Sequence, residues 1–538
     1  ITDQFEISYH FNSYFSSIGN NLASNIPNTN RDPLDFMRGN YPTSLFLSPV
    51  THDELTSIIR DLANGGPGPD EILPKVINRF MNNLIQPLLH TINLSFLGDI
   101  FPAQLKTANV TPIFKSGDSK LVGNYRPISI LSVFSKIIEK LMHSRLYQYL
   151  ASNNVLYAKQ FGFRKGVSTE VALISAVDKI TRALDSKKHV VSLFLDFRKA
   201  FDTVNIPILL SKLAHYGIRG VALEWFRSFL TGRMQRVKFN GIFSDLKDVS
   251  CGVPQGSTLG PLLFLVYLND LPCVLDDAID TYLFADDTTL FMIGDDLNLM
   301  TGNFNTQMTQ LVLWLNTNKL SLNLQKTHCM LFTLSPRIRS LPLNIFINQT
   351  PIDCVHSTKF LGVHIDEQLK WKQHSEYIAN KMAKSIGILN KVKRYLNSKT
   401  LLMLYYSLIY PYLNYCHLLW GKAPAVHTNK LFVLQKRAVR IISNSQYLAH
   451  SIPLYKELNI VPFDELYRFQ CSIFVYKCIK ELFPTHVLDL INPFPSLASQ
   501  DYQPVLTRSD SSLVTTPFCR TAIRQTFVYY QATHLYNT

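Results

Sequence analysis

Charge is sparse in this chain: Asp, Glu, Lys and Arg make up 17% of its 538 residues, against 46% hydrophobic residues. That balance excludes an intrinsically disordered protein, and the length allows two to four subdomains with cores of their own. Acidic residues are the scarcer sign, 39 against 53 Lys and Arg, for a net charge of +14 and a pI near 9.2. Such an excess favours a polyanionic partner, nucleic acid or an anionic membrane surface, although a basic protein with neither role has the same balance. Long apolar runs are missing. The most apolar windows, LGPLLFLVYL and LLMLYYSLIYPYL, fall short of the roughly 18 residues a membrane span needs. The eight cysteines form no C-x-x-C pair and have no His at knuckle spacing, so buried thiols in a reducing compartment are expected. With no basic n-region followed by an apolar stretch, a soluble intracellular protein without a signal peptide is expected. The opening ITDQFEISYH without Met and the end THLYNT lead to the expectation of a fragment of a longer product. Internal repeats and low-complexity tracts are absent.

Residues 1–45 hold an amphipathic helix pattern, QFEISYHFNSYFSSIGNNL, and a polar Asn/Pro-rich connector, and read as an entry segment left from a linker. Thr51 and Glu54 offer a capping box ahead of a helix that ends in the breaker cluster NGGPGPD. Further helices at 74–97 and 132–151 bracket a strand-like VTPIFKSGD with a Gly117-Asp118 turn signal. Then come the apolar strand HVVSLFLDF, a helical stretch over 206–231, a hairpin pattern around Asn240-Gly241, and a Gly-rich turn feeding an apolar helix, GVPQGSTLGPLLFLVYLNDL. A strand-turn-strand pattern TYLFADDTTLF follows, then a helix over 301–319, the strands KTHCMLFTL and FLGVHID, and from 371 a largely helical, Lys-rich region.

The chemistry-bearing signal is carboxylate at strand ends. HVVSLFLD ends on Asp196 and TYLFAD on Asp286, about 90 positions later, and the two meet if their strands are neighbours in one sheet. Paired carboxylates of this kind bind Mg²⁺, and two such ions roughly 3.5 to 4 Å apart assist in-line phosphoryl displacement. A doublet at a hairpin turn projects its side chains unequally, which makes Asp286 the more direct ligand with Asp287 beside it. An isolated Ala-Asp-Asp is also an ordinary polar turn. The doublets Asp276-Asp277 and Asp295-Asp296 lack a distant partner strand; the second is a helix N-terminus by pattern.

FADDTTLF, LDFRKAFDTVN, GVPQGSTLGPLLF, YRPISILSVFSKIIEKLMHSRL, QFGFRKGVST, LNLQKTHCMLF and KFLGVHID occur in the order seen in reverse transcriptases of non-LTR retrotransposons. The chain resembles that family over roughly residues 50–445, and within it the jockey-type lineage most. The resemblance implies an α+β right-hand polymerase fold with fingers, palm and helical thumb: fingers with part of the palm over 46–185, a reverse transcriptase domain over 95–365 with its palm core at 186–365, a basic thumb over 366–450, and a C-terminal helical region over 451–538. It implies an RNA-directed DNA polymerase that takes an RNA template, a DNA primer and dNTPs, with two Mg²⁺ ions or Mn²⁺ in their place and no membrane, acting in the nucleus and cytoplasm.

Residue by residue, the resemblance makes Asp196, Asp286 and Asp287 the metal-binding triad. Phe201 takes the place of the side chain that blocks a 2′-hydroxyl, and equally suits a core position. Main-chain amides of Phe197 to Ala200 would cradle the triphosphate. Gln255 and Gly256 of GVPQGS would pack against the template base and incoming nucleotide. Lys115 and Arg126 match residues gripping the β- and γ-phosphates, and Lys326 one that protonates leaving pyrophosphate. Gln160, Phe163 and Arg164 would contact the template strand. Phe360, Leu361 and Gly362 would form a hairpin gripping the primer end, and Lys436, Arg437 and Arg440 would track duplex phosphates from the thumb.

The chain departs from the family pattern at NGGPGPDEI, where Gly65 and Glu71 stand in place of a lysine and a glycine, which removes one nucleic-acid contact expected at the fingers. Neither an apurinic-type endonuclease nor a zinc knuckle is recognisable. Alternatives are a group II intron maturase or RNA-dependent RNA polymerase, the latter disfavoured by Phe201, and a catalytically dead relic that only binds nucleic acid.

Overall fold

The apolar run HVVSLFL is a strand buried along its whole length. Its alternate side chains divide between two cores: Val191, Leu193 and Leu195 join one, Val190 and Phe194 the other. Burial on both faces explains an apolar run without polar alternation. The computed structural model describes residues 3–485, 487–488 and 519–537. Its strands are β1 (Thr107–Phe114), β2 (Tyr125–Ile130), β3 (His189–Leu195), β4 (Arg233–Phe239), β5 (Ile242–Phe243), β6 (Lys247–Val249), β7 (Ile279–Phe284), β8 (Asp287–Gly294), β9 (His328–Phe332), β10 (Phe346–Ile347), β11 (Thr350–Pro351), β12 (Asp353–Cys354), β13 (Ser357–Phe360) and β14 (Val363–Asp366).

A five-stranded sheet in the order β12-β9-β3-β8-β7 is antiparallel except at β12–β9. A second sheet, β2-β1-β4-β5 with β6 also on β4, joins β1 and β4 in parallel. The architecture is therefore mixed α+β. Because this second sheet draws on 107–130 and on 233–249, a boundary near residue 185 does not separate the two sheets. The central sheet is covered on one face by helix Thr169–Asp185. On the other face lies the wholly apolar helix Leu259–Leu268, packed on Val133–Ser152 and Ile206–His215.

The helix expected over 206–231 is two, Ile206–His215 and Val221–Leu230, broken where Gly217 and Gly220 adopt positive φ. The capping box at Thr51 is half formed. Thr51 accepts the Glu54 N–H at 3.3 Å, but the Glu54 carboxylate turns to Arg145 at 2.6 Å. Asp296 caps helix Leu297–Thr317, as its pattern indicates.

The N-terminal segment is not a linker remnant. Helix Gln4–Ser24 buries Phe11 and Phe15 against Val110, Leu131 and Val237. Its buried Asn12 donates to the Asp245 carbonyl at 2.7 Å and accepts from Gln235 Nε2 at 3.1 Å. Helices Lys372–Val392, Ser398–Leu408 and Ala425–Ile442 share one core with the back of the central sheet, where Phe194 and Met330 meet Ile378, Trp420 and Val439. Helix Val528–Asn537 packs on Phe463–Ile479; the rest of the expected C-terminal region, 486 and 489–518, lies outside the described residues. Cys251, Cys273, Cys329, Cys354, Cys416, Cys471 and Cys478 are free thiols, and no helix of the described residues is long and apolar enough to cross a membrane.

Candidate active site

Strands β7 and β8 form a hairpin in which Phe284 pairs with Asp287, leaving Ala285 and Asp286 as its two-residue turn. Ala285 has φ +58°, a conformation hairpins usually give to glycine at this place. The turn is held from outside by Gln160, whose Oε1 accepts the N–H groups of Ala285 (3.1 Å) and Gly162 (2.9 Å). A Cβ on Gly162 would lie 2.4 Å from the Ala285 nitrogen, so only glycine permits this approach.

Register brings the acidic residues together. Leu195 of β3 pairs with Thr288 of β8, so Asp196, the next residue, falls beside Asp287 at the same end of the sheet. The segment before β9 continues this edge: Asn323 N–H donates to the Asp196 carbonyl at 2.7 Å, and Asp196 N–H to Thr327 Oγ1 at 3.3 Å. Lys326 lies between those two anchors.

Asp196 borders two cavities. With Asp286 it lines one of about 640 Å³, together with Lys115, Arg126, Phe201 and Gln255. With Asp287 it lines another of about 280 Å³, together with Lys359, Phe360 and Gly362; Lys326 borders both. The doublet thus divides between two sides, with Asp196 common to both. Burial first, then Asp196, holds the Asp286 carboxyl above its usual range, while Arg126 and Lys115 pull it back. Asp287 is pushed up to about 6 by desolvation and then by Asp286 and Asp196. Since Asp287 keeps much of its surface in solvent, the repulsion is the part a cation would relieve.

Carboxylate oxygens in mutual repulsion are the donor chemistry that Mg²⁺ takes, so these residues fit such ions. Among the described residues, however, no three His, Cys, Asp or Glu side chains converge into a group that could hold a metal. The expected triad is arranged as two pairs that share Asp196.

Other expected residues sort by their surroundings. Lys115, Arg126 and Lys326 are exposed around the larger cavity, and Arg126 and Lys326 lower the Lys115 ammonium after its partial burial. Phe201 stacks on Phe264 at 4.4 Å and meets the exposed Phe163 edge-on at 6.2 Å. Phe197 contributes its backbone to the cavity wall, but its side chain is core, and the Arg198 N–H in the expected amide cradle is taken by the Ser321 carbonyl at 2.9 Å. Gly256 has φ +126°, and a Cβ there would stand 2.3 Å from the Ser129 carbonyl. Only glycine permits this close contact with β2.

Most of the side chains expected to contact nucleic acid have partners within the chain. Gln160 is buried and spent on the Ala285 turn, and Arg164 donates to the carbonyls of Tyr157 and Gln160 at 3.0 and 3.3 Å. Phe360 is buried edge-on to Phe194. Leu361 and Gly362, both at positive φ, turn β13 into β14, and Tyr415 Oη donates to the Leu361 carbonyl at 2.7 Å. Of the three basic residues expected to act from helix Ala425–Ile442, only Arg437 is exposed. Lys436 lies over the Phe432 ring at 3.8 Å, and Arg440 donates to the Ala449 carbonyl at 2.8 Å.

Two functional neighbours went unnoticed in the sequence. Lys199, at φ +47°, donates from Nζ to the carbonyls of Gly123 and Tyr125, each at 3.2 Å, and ties the turn after β3 to β2. Buried Glu139 accepts from Ser257 Oγ at 2.5 Å and Thr258 N–H at 2.8 Å, anchoring the turn that carries Gln255. Its place among the apolar Ile137, Ile138, Leu141 and Met142 was the available signal.

This arrangement coincides with residues 113–365, which match the family model described as reverse transcriptase (RNA-dependent DNA polymerase). The chain carries a reverse transcriptase domain. It is 28% identical over 455 residues to the probable RNA-directed DNA polymerase from transposon BS of Drosophila melanogaster, covering 81% of this chain and 49% of that protein. It is 28% identical over 437 residues to the RNA-directed DNA polymerase from mobile element jockey of the same species, covering 79% and 47%. A Pol polyprotein from the type-1 retrotransposable element R1 of Bradysia coprophila is 29% identical over 347 residues, covering 64% and 34%. The chain thus spans about half the length of the first two relatives.

Proposed function

We propose that the chain is an RNA-directed DNA polymerase of a non-LTR retrotransposon, adding dNTPs to a primer 3′-hydroxyl on an RNA template. The observation that carries this reading is Asp196 standing between Asp286 and Asp287, with Lys115 and Arg126 across the Asp286 cavity. The central sheet is the palm, the β1–β2–β4 sheet the fingers, and the helices from Lys372 to Ile442 the thumb.

Two divalent cations, Mg²⁺ or Mn²⁺, held by Asp196, Asp286 and Asp287 would activate the primer hydroxyl and neutralise charge on the leaving pyrophosphate. The chain's own residues position the reactants. Lys115, Arg126 and Lys326 bind phosphate oxygens, Phe201 walls the cavity where the sugar enters, and the Leu361-Gly362 turn borders the Asp287 side, where the primer end belongs.

Primer extension on poly(rA)/oligo(dT) with Mg²⁺ tests the reading, with Asp286→Asn as control. The parent extends the primer, and the variant loses at least 100-fold in rate, on the order of what a preorganised electrostatic group contributes. An inactive parent overturns the polymerase reading, and an equally active variant overturns the carboxylate assignment.

A further inference from the structure

Asp202, the second carboxylate of LDFRKAFD, has no part in the reading above. It sits beneath the nucleotide cavity, and its Oδ1 accepts from Gln255 Nε2 at 2.8 Å. Oδ2 is shut off from solvent and finds no hydrogen-bond partner. The surrounding chain is fitted closely around it. A Cβ on Gly252 would stand 2.8 Å from the Asp202 carbonyl oxygen, and a Cβ on Gly19 of the N-terminal helix would collide with the same atom. Behind Asp202 lies a cavity of about 50 Å³, bordered also by Gln255, Cys251, Gly19 and the buried Arg233, whose Nη2 likewise has no partner. Gln255 borders both this small cavity and the large one that holds Phe201 and Lys115. Its amide is the partition between them.

A glutamine amide has a donor end and an acceptor end of nearly the same shape, and its neighbours decide which way it points. An ionised carboxylate only accepts. Asp202 therefore fixes the Gln255 amide with nitrogen inward, and its Oε1 and second N–H are left for whatever occupies the large cavity.

We infer that Asp202 is a positioning residue that sets the orientation of the Gln255 amide toward the incoming nucleotide. The inference rests on the polymerase reading. Groups facing Asp202 are Lys199 on its own turn, Tyr14 of the N-terminal helix, Cys251 and Gln255 of the 251–256 segment, and Arg233 of β4. Burial pushes the Asp202 carboxyl up to about 6, against the Gln255 hydrogen bond and Lys199. Protonation would turn one oxygen into a donor, so that the carboxyl no longer dictates which end of the amide faces it.

The test is steady-state incorporation on poly(rA)/oligo(dT) by the parent, Asp202→Asn and Asp202→Leu, from pH 8.0 to 5.5, with folding checked by thermal melting. Asn keeps an acceptor without charge, while Leu keeps neither. Asp202→Leu should raise KM for dTTP about tenfold, the effect of losing one hydrogen bond to a charged group, with kcat within about twofold and KM for primer-template unchanged. Asp202→Asn, which like the protonated carboxyl pairs an acceptor with a donor, should show at pH 8.0 the raised KM that the parent reaches only as pH falls toward 6, and stay level across the range. A parent that extends no primer overturns the polymerase reading. An active parent whose KM and pH profile are matched by both variants leaves that reading standing and overturns this inference. Should Asp202→Leu fail to fold, the Asp202→Asn profile alone decides, and superposition on the parent's profile overturns it.

Discussion

Phe201 shows how far a single residue can be read. Its place five positions after Asp196 marked it as the candidate guard against a 2′-hydroxyl, and the structure puts it on the cavity wall, fixed by stacking on Phe264. Phe201→Ala should raise ribonucleotide use relative to dNTP on the order of tenfold, read as the ratio of kcat/KM values for UTP and dTTP on the same primer-template. The carboxylates were equally legible, because strand-terminal Asp residues keep their meaning whatever packs around them. Gln160 and Arg164 were not. A polar side chain near a motif looks the same in sequence whether it faces a ligand or is consumed by backbone groups, and here the Ala285 turn and the carbonyls of Tyr157 and Gln160 take them. Phe360 failed for the opposite reason: its turn borders the site while its ring belongs to the core.

Elements were legible wherever periodicity and breakers agreed, as in β3, the β7–β8 hairpin and the apolar helix Leu259–Leu268. What joins them was not, since the joints are buried charges whose partners lie far along the chain. Glu139 holds the start of Leu259–Leu268 across a separation of 119 residues at Thr258. Glu139→Gln keeps the shape but replaces the acceptor-only carboxylate facing four donors, and should cost about 1–3 kcal/mol in urea unfolding. Lys212 is fully buried, donating to Asp270 at 2.5 Å and to the Tyr267 carbonyl at 2.7 Å, while Trp314 also donates to Asp270 at 2.9 Å. Lys212→Met leaves Asp270 as an uncompensated buried charge and should lose roughly 3–5 kcal/mol. The double variant with Asp270→Leu should recover part of it, as measured in the same unfolding assay.

For the whole molecule, the helical region and the back of the central sheet share one core, so a weakness in that region is felt at the sheet. His374 and His417 lie in this core, and burial lowers both to about 3, with nearby His364 and His417 adding to the effect at His374. Their folded values lie below the unfolded one, so they contribute stability that is fully present above about 6.5 and is lost as pH falls toward 3. Thermal melts should therefore drop between pH 6.5 and 4.5. His417→Phe, whose ring can keep the edge-on contacts with Trp420 and Phe463, should flatten the slope by up to about 1.4 kcal/mol per pH unit.

The seat of the N-terminal helix was the largest feature hidden from sequence, because its amphipathic face is visible there but not what it faces. Asn12 finds Gln235 across 223 residues and the Asp245 carbonyl across 233. During synthesis at about 5–20 residues per second, this helix leaves the ribosome roughly ten to fifty seconds before its landing strand exists. Until then Phe11 and Phe15 lack the Val237 side of their seat. This helix is thus made well before it can settle, and it closes over Asp202 only after β4 and the Gly252 turn are in place.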